Sequence, residues 1–231
     1  MTSLGDTTWP EIPERPLLVV PLGSVEQHGR HLPLATDIRT AETVAWDAMP
    51  AIEGALLAPA IAYGASGEHE GFPGTVSIGT ETLTTLLVEF GRSACRWAGR
   101  LLVVNGHGGN SFALRAAVPL LRAEGRDVAW WSLAVPGGDA HAGRTETSLM
   151  LHVEPGVVRR GRAEPGETAP LRELLPRMRA EGVRAVSPNG VLGDPAGASA
   201  AEGGALVADL AGRLVAAVRK WRVDPAGRLL D

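Results

Sequence analysis

The chain has 231 residues, 45% of them hydrophobic, enough to bury a full core, and it reads most simply as one domain over residues 1–231. A net charge of −4, with no basic tract beyond Arg159-Arg160 and Arg162, argues against nucleic acid as a partner. Cys95 is the only cysteine, which excludes an internal disulfide or a cysteine zinc cage, and no window holds the roughly 18 apolar residues of a membrane span.

Residues 1–16 lack an apolar signal core, so a cytoplasmic location is expected. Pro16 to Leu22 reads as a first strand, and Thr40 to Met49 as a helix closed by Pro50. Ala55 to Ile61 is a second strand, followed by a glycine-rich loop from Tyr63 to Gly74 whose length suggests a task. Thr80 to Trp97 carries Leu83, Leu86, Leu87 and Phe90 at helical spacing, and Cys95 there is expected to fill core space. Leu101 to Val104 reads as a buried strand, Ser111 to Ala123 as a helix, Val128 to Leu133 as a strand, and a further helix begins near Arg144. In Trp130-Trp131 the rings should face opposite sides of the sheet, and one of them is a candidate for lining a pocket. From Glu154 to Pro195 the chain is rich in Pro, Gly and Arg, with a short helix at Leu171 to Ala180, and reads as a lobe over the site or an oligomer contact. Ala200 to Trp221 is a last, apolar-faced helix. Strand, polar loop and helix in alternation predict an α/β fold: a three-layer α/β/α sandwich with a mostly parallel sheet.

Three loops that follow strands carry metal-competent side chains: Glu26, His28, His31 and Asp37; His107; and Asp139, His141 and Glu146. In a parallel sheet all three lie on one edge, where residues far apart in the chain converge. Mixed carboxylate and imidazole donors suit Zn, Mn or Fe(II), and five good ligands are too many for one tetrahedral ion but suit two ions sharing a carboxylate.

Gly23-Ser24-Val25-Glu26-Gln27-His28-Gly29 with His31-Leu32-Pro33-Leu34 and Thr36-Asp37, then Asn105-Gly106-His107-Gly108-Gly109-Asn110, then Asp139-Ala140-His141-Ala142-Gly143 with Glu146-Thr147-Ser148, resemble the signature blocks of the creatininase family of metal-dependent amidohydrolases. Gly64 to His69, Phe72 to Thr80 and Ala185 to Pro195 resemble the branch of that family that processes the mycofactocin precursor, peptidases that remove a modified C-terminal Val-Tyr unit. The resemblance implies a dinuclear centre of Zn, Fe(II) or Mn, a modified precursor peptide as substrate and a homo-oligomer, usually a hexamer. It further implies that Glu26, Asp37 and His107 hold one ion and that His28, Asp37 and Glu146 hold the other, with Asp37 as the bridge. Creatininase proper has an acid two places after the histidine matching His107, where this chain has Gly109. Glu146 is the natural substitute, although an acid serving only the first turn of a helix would look the same in sequence.

Around this set, His141 is the candidate to protonate the departing amine, to bind the oxyanion, or to hydrogen-bond a ligand. His31 reads as a partner of a ligand, and Asp139 as an orienting or substrate-binding residue, though an exposed turn aspartate would read alike. Gly106, Gly108 and Gly109 are expected to permit positive φ and to let the backbone come close to metal and substrate, leaving amides free to bind it, and Glu68 to reach the mouth of the site. His69 is expected at the surface, and His152 as a partly buried packing residue. Two other functions fit the same residues: a small-molecule amidohydrolase that opens a lactam or removes a formyl group, and a non-catalytic scaffold that holds a peptide.

Overall fold

The computed structural model describes residues 2–231. Among the described residues five strands form the sheet: β1 (Thr2–Ser3), β2 (Leu17–Leu22), β3 (Leu56–Leu57), β4 (Arg100–Asn105) and β5 (Val128–Ser132), in the order β1-β3-β2-β4-β5 with every pairing parallel. β2, Leu-Leu-Val-Val-Pro-Leu, is buried at every position, as a strand covered on both faces must be. Its side chains alternate between two cores. Leu17 and Val19 join Leu102, Val104 and Trp131 beneath helices α1 (Thr36–Ala48) and α7 (Ala200–Lys220). Leu18, Val20 and Leu22 join Leu101, Val103 and Trp130 beneath α2 (Thr80–Ala94) and α3 (Ser111–Ala123). The layers are therefore α/β/α. Cys95 packs on the second core as expected.

Both tryptophan rings serve the core, and neither lines the cavity described below. Trp130 Nε1 donates to the Ala226 carbonyl at 2.9 Å and Trp131 Nε1 to Asp231 at 2.6 Å.

Register places Leu22 beside Asn105 and Asn105 beside Ser132, so the three polar loops leave the sheet at one edge. Two boundaries differ from expectation. α1 starts at Thr36, so Asp37 lies in its first turn rather than on the loop. The apolar rhythm of α1 begins only near Ala41 because its first turn carries polar residues of the site. The predicted strand 55–61 shrinks to Leu56–Leu57, because Pro59 has no N–H to give to a ladder; Ile61 still bonds Pro21 at 2.9 Å. After α4 (Arg144–Val153), residues 154–195 form a lobe with α5 (Leu171–Glu181) and α6 (Val183–Val186), where Met178, Val183, Val186 and Leu192 pack with Phe72. The lobe sits over the sheet edge.

Candidate metal centre

Five of the six histidines lie buried at this edge with Glu26 and Asp37. His107 Nδ1 is 3.1 Å from Glu26 Oε2 and 3.5 Å from Asp37 Oδ2. His28 Nε2 is 3.0 Å from Asp37 Oδ1 and 3.8 Å from Glu146 Oε2. His141 Nδ1 is 3.8 Å from Glu26 Oε1 and 3.9 Å from Glu146 Oε2. The structure thus brings together all five expected ligands and His141. Glu146 is the most open of them, 24% exposed, and its Oε2 also accepts the Ala142 N–H at 2.6 Å, tying the first turn of α4 to the preceding loop.

The donor set fits divalent metal ions on two observations of this structure. Both Glu26 oxygens and Asp37 Oδ2 are buried without a hydrogen bond among the described residues, and the imidazole nearest Glu26 approaches without hydrogen-bonding geometry. Buried carboxylate oxygens without a hydrogen bond are costly, and a cation between them and the facing imidazoles would satisfy them. Moreover, three rings commit one nitrogen to a backbone carbonyl. His28 Nδ1 donates to Glu26 O at 3.1 Å, His107 Nε2 to Ala65 O at 3.1 Å and His141 Nε2 to Gln27 O at 2.8 Å. A carbonyl can only accept, so the opposite nitrogen of each ring is the one turned to the carboxylates, the arrangement that orients histidine ligands around metals.

Charge at the site is set by burial working against these pairs. Burial would lower the pKa of His28, yet Asp37, Glu146 and Glu26 raise it to about 10; His107, equally buried, is raised to about 10 by Glu26, Asp37 and Glu68. Burial lifts Asp37 to about 6, against the pull of His28, with Glu26 adding to the rise. Burial opposes the ionised form of Glu26, but His107, His69 and His28 hold its pKa well below the usual range. Burial together with neighbouring His28 lowers His141 to about 4.

Several expectations are corrected. His69 is not at the surface: it is 3% exposed, in a 3-10 turn over Gly67–His69, with Nε2 3.4 Å from Glu26 Oε1. A histidine between two acids in a glycine-rich loop was the available signal. Asp139 does not face the pocket: its carboxylate accepts the N–H groups of Arg144 and Thr145 at 2.5 and 2.9 Å and so holds the start of α4. Gly106, Gly108 and Gly109 are not among the glycines with positive φ. At Gly106 a Cβ would lie 2.5 Å from the Asp37 carbonyl, and at Gly109 2.4 Å from His107 Nε2, so close approach, not φ, demands glycine there; Gly108 has open space. His152 is exposed on α4, with Gly203 and Gly204 beneath its ring. His31 is buried, with Nε2 2.8 Å from Thr147 Oγ1, and so braces α4 beside Glu146. Glu68 lines the mouth, its Oε1 3.5 Å from His107 Nε2.

Sequence reading passed over Gln27, whose amide joins Gly29, Gly190 and His69. Its position between two ligand candidates, Glu26 and His28, was the only hint. A cavity of about 740 Å³ opens from His107, His141 and Glu146 toward Phe112, Leu171 and Met178.

Fold and site together define a parallel α/β protein with a buried His/carboxylate centre of metal-binding character. A family model described as "Creatininase: Creatinine amidohydrolase" matches residues 5–218, and the chain belongs to the creatininase family. A protein of Mycolicibacterium smegmatis named "Mycofactocin precursor peptide peptidase" is 55% identical over 219 residues, covering 93% of this chain and 89% of that protein. Two solved structures share the fold at a TM-score of 0.79 and 28% identity. "Creatininase Mn" covers 95% of this chain and 98% of its own, and a mutant creatininase of "Zn-Zn type" covers 96% and 99%. No described helix is long and apolar enough to cross a membrane.

Proposed function

We propose that this chain, as one domain over its whole length, is a metal-dependent peptidase that cuts the modified C-terminal Val-Tyr unit from a mycofactocin precursor peptide. The observation that carries the reading is the buried Glu26 carboxylate, with neither oxygen hydrogen-bonded, faced by His107, His69 and His141. Glu26, Asp37 and His107 would hold one divalent ion and His28, Asp37 and Glu146 a second, with Asp37 common to both sets; Zn, Fe(II) and Mn all suit these donors. Such ions, when bound, supply an activated water and a Lewis acid for the amide carbonyl.

The protein's own residues do the rest. His141 Nε2 is committed to the Gln27 carbonyl, which leaves Nδ1 to take a proton at the reacting centre and return it to the departing amine nitrogen as the C–N bond breaks. Gly108 and Gly109 bring backbone close to the substrate, and Glu68 stands at the mouth. Phe112, Leu171, Leu175 and Met178 form an apolar wall for the aromatic end of the peptide. The cavity, about 740 Å³, has room for the C-terminal unit of a peptide beside the centre. The enzyme works in the cytoplasm as a homo-oligomer, with a hexamer expected from the family.

Incubation of the metal-loaded protein with the cyclised precursor and, separately, with creatinine tests this. Release of the C-terminal unit is expected, seen as the mass of the shortened peptide. An intact peptide with Zn(II), Mn(II) and Fe(II) alike would reject the reading.

A further inference from the structure

Gln27 is buried between Glu26 and His28, and both ends of its side-chain amide are committed to backbone. Its Oε1 accepts the Gly29 N–H at 2.9 Å, and its Nε2 donates to the Gly190 carbonyl at 3.1 Å. A backbone N–H only donates and a carbonyl only accepts, so these partners decide which end of the amide is oxygen and which is nitrogen. The second hydrogen on Nε2 then points to His69 Nδ1 at 2.8 Å. Gln27 Nε2 also comes within 3.0 Å of His141 Nε2, but that nitrogen already gives its hydrogen to the Gln27 backbone carbonyl. His69 Nδ1 is therefore an acceptor, and in the neutral ring the hydrogen sits on Nε2, which faces Glu26; the ring lines the cavity.

The two imidazoles, 4.6 Å apart, are thus in opposite states. His141 turns a lone pair to the centre and His69 turns a hydrogen. We infer that Gln27 is a positioning residue that locks His69 in its Nε2–H tautomer, making His69 a neutral hydrogen-bond donor to the carbonyl oxygen of the scissile amide. This rests on the amide-hydrolysis reading above. A donor held in place before reaction stabilises the oxygen that gains charge when the carbonyl is attacked. It cannot at the same time be a metal ligand. Glu26, His69 and His141 place ligand atoms within 4.8 Å of one another, yet a ligating His69 Nε2 would need its hydrogen on Nδ1, directly against the Gln27 NH₂.

The lock is held from the lobe. Gly190 has φ +82°, and a Cβ there would lie 1.9 Å from Gln27 Oε1, so only glycine lets this carbonyl reach the amide. The same strap exchanges backbone bonds with His141, since Leu192 N–H donates to the His141 carbonyl at 2.8 Å and the His141 N–H to the Leu192 carbonyl at 3.1 Å. The segment 187–192 thereby aligns both rings.

The test is nitrogen-15 NMR of histidine-labelled, zinc-loaded protein, combined with kinetics on the cyclised precursor and metal analysis. In the wild type, His69 is expected to show a bare Nδ1 and a protonated Nε2. Gln27→Glu puts an acceptor where the NH₂ stood, so His69 Nδ1 should gain a proton. Turnover should then fall by about tenfold or more, with KM little changed and metal content intact. His69→Phe should likewise lower kcat and retain the metal. A wild-type His69 with a bare or metal-bound Nε2, an unaltered tautomer in Gln27→Glu, or loss of bound metal in His69→Phe would overturn the inference. Failure of the wider reading looks different: the tautomer is as expected and the precursor stays uncut by the wild type.

Discussion

His107 and Glu26 meet at 3.1 Å between Nδ1 and Oε2, while the other nitrogen of the same ring is held 3.1 Å from the Ala65 carbonyl. That pair joins the end of β4 to the loop after β2, and the glycine-rich loop at Ala65 braces it from behind. Gly109 is what lets the three come so close. A Cβ at Gly109 would meet His107 Nε2 at 2.4 Å and the Ala65 carbonyl at 2.5 Å. Gly109→Ala should therefore displace His107, destabilise the fold by about 1–3 kcal/mol and weaken metal affinity roughly tenfold or more, read by thermal unfolding and competitive chelation. Wild-type metal affinity in that variant would refute the bracing role.

Asp37 stands between both sets of donors, with Oδ1 toward His28 and Oδ2 toward His107. Asp37→Asn keeps the volume and removes the shared charge. Both ions should be lost together, seen by elemental analysis, and the rise in melting temperature caused by added Zn(II) should vanish with them. Retention of one full ion per chain would show that the two positions are independent.

Proton competition sets the pH dependence of metal uptake. In the metal-free protein, His28 and His107 are raised from 6.5 to about 10, so they must shed protons before they can ligate. Apparent affinity should keep climbing with pH well above 7, rather than levelling where a free imidazole would. Stability follows with the opposite sign. A raised pKa favours the folded state fully below pH 6.5, and that contribution is lost as pH rises through about 10, so the metal-free protein should weaken over this window. The metal-loaded protein should not. Melting curves of both forms from pH 6 to 10 check this, and parallel curves would contradict it.

His141 offers Nδ1 to the reacting centre and nothing else, because Nε2 is tied to Gln27. His141→Ala should retain metal and lose turnover by about 10²–10⁴-fold. A near-normal rate would remove it from the proton-transfer role.

Phe112 stands at the start of α3, 56% exposed on the cavity wall, with the Arg179 guanidinium 5.4 Å from its ring. Phe112→Ala should raise KM for the precursor about tenfold, with kcat and metal content little changed. An unchanged KM would place the aromatic unit elsewhere.

The parallel sheet and its polar edge were legible from local pattern: Leu17 to Leu22 is uniformly apolar before Gly23, and Leu101 to Val104 before Asn105. Hydrophobic period and turn chemistry act over a few residues and leave a readable trace, and α3 falls at Ser111–Ala123 as the pattern predicts. Glu26, His28, Asp37, His107 and Glu146 stand among eight metal-competent residues on strand-end loops that a parallel sheet sends to one side, and only the resemblance to the creatininase family narrows the eight to these five. What only the tertiary structure decided were the partners of each polar atom. Asp139 turned to the amides of α4, His69 turned inward under the lobe, and Gln27 found Gly190, 163 residues away. A hydrogen bond depends on distances of a few tenths of an ångström and on which atom carries the proton. Those are set by how distant segments pack, and nothing in the neighbouring residues of the chain records them.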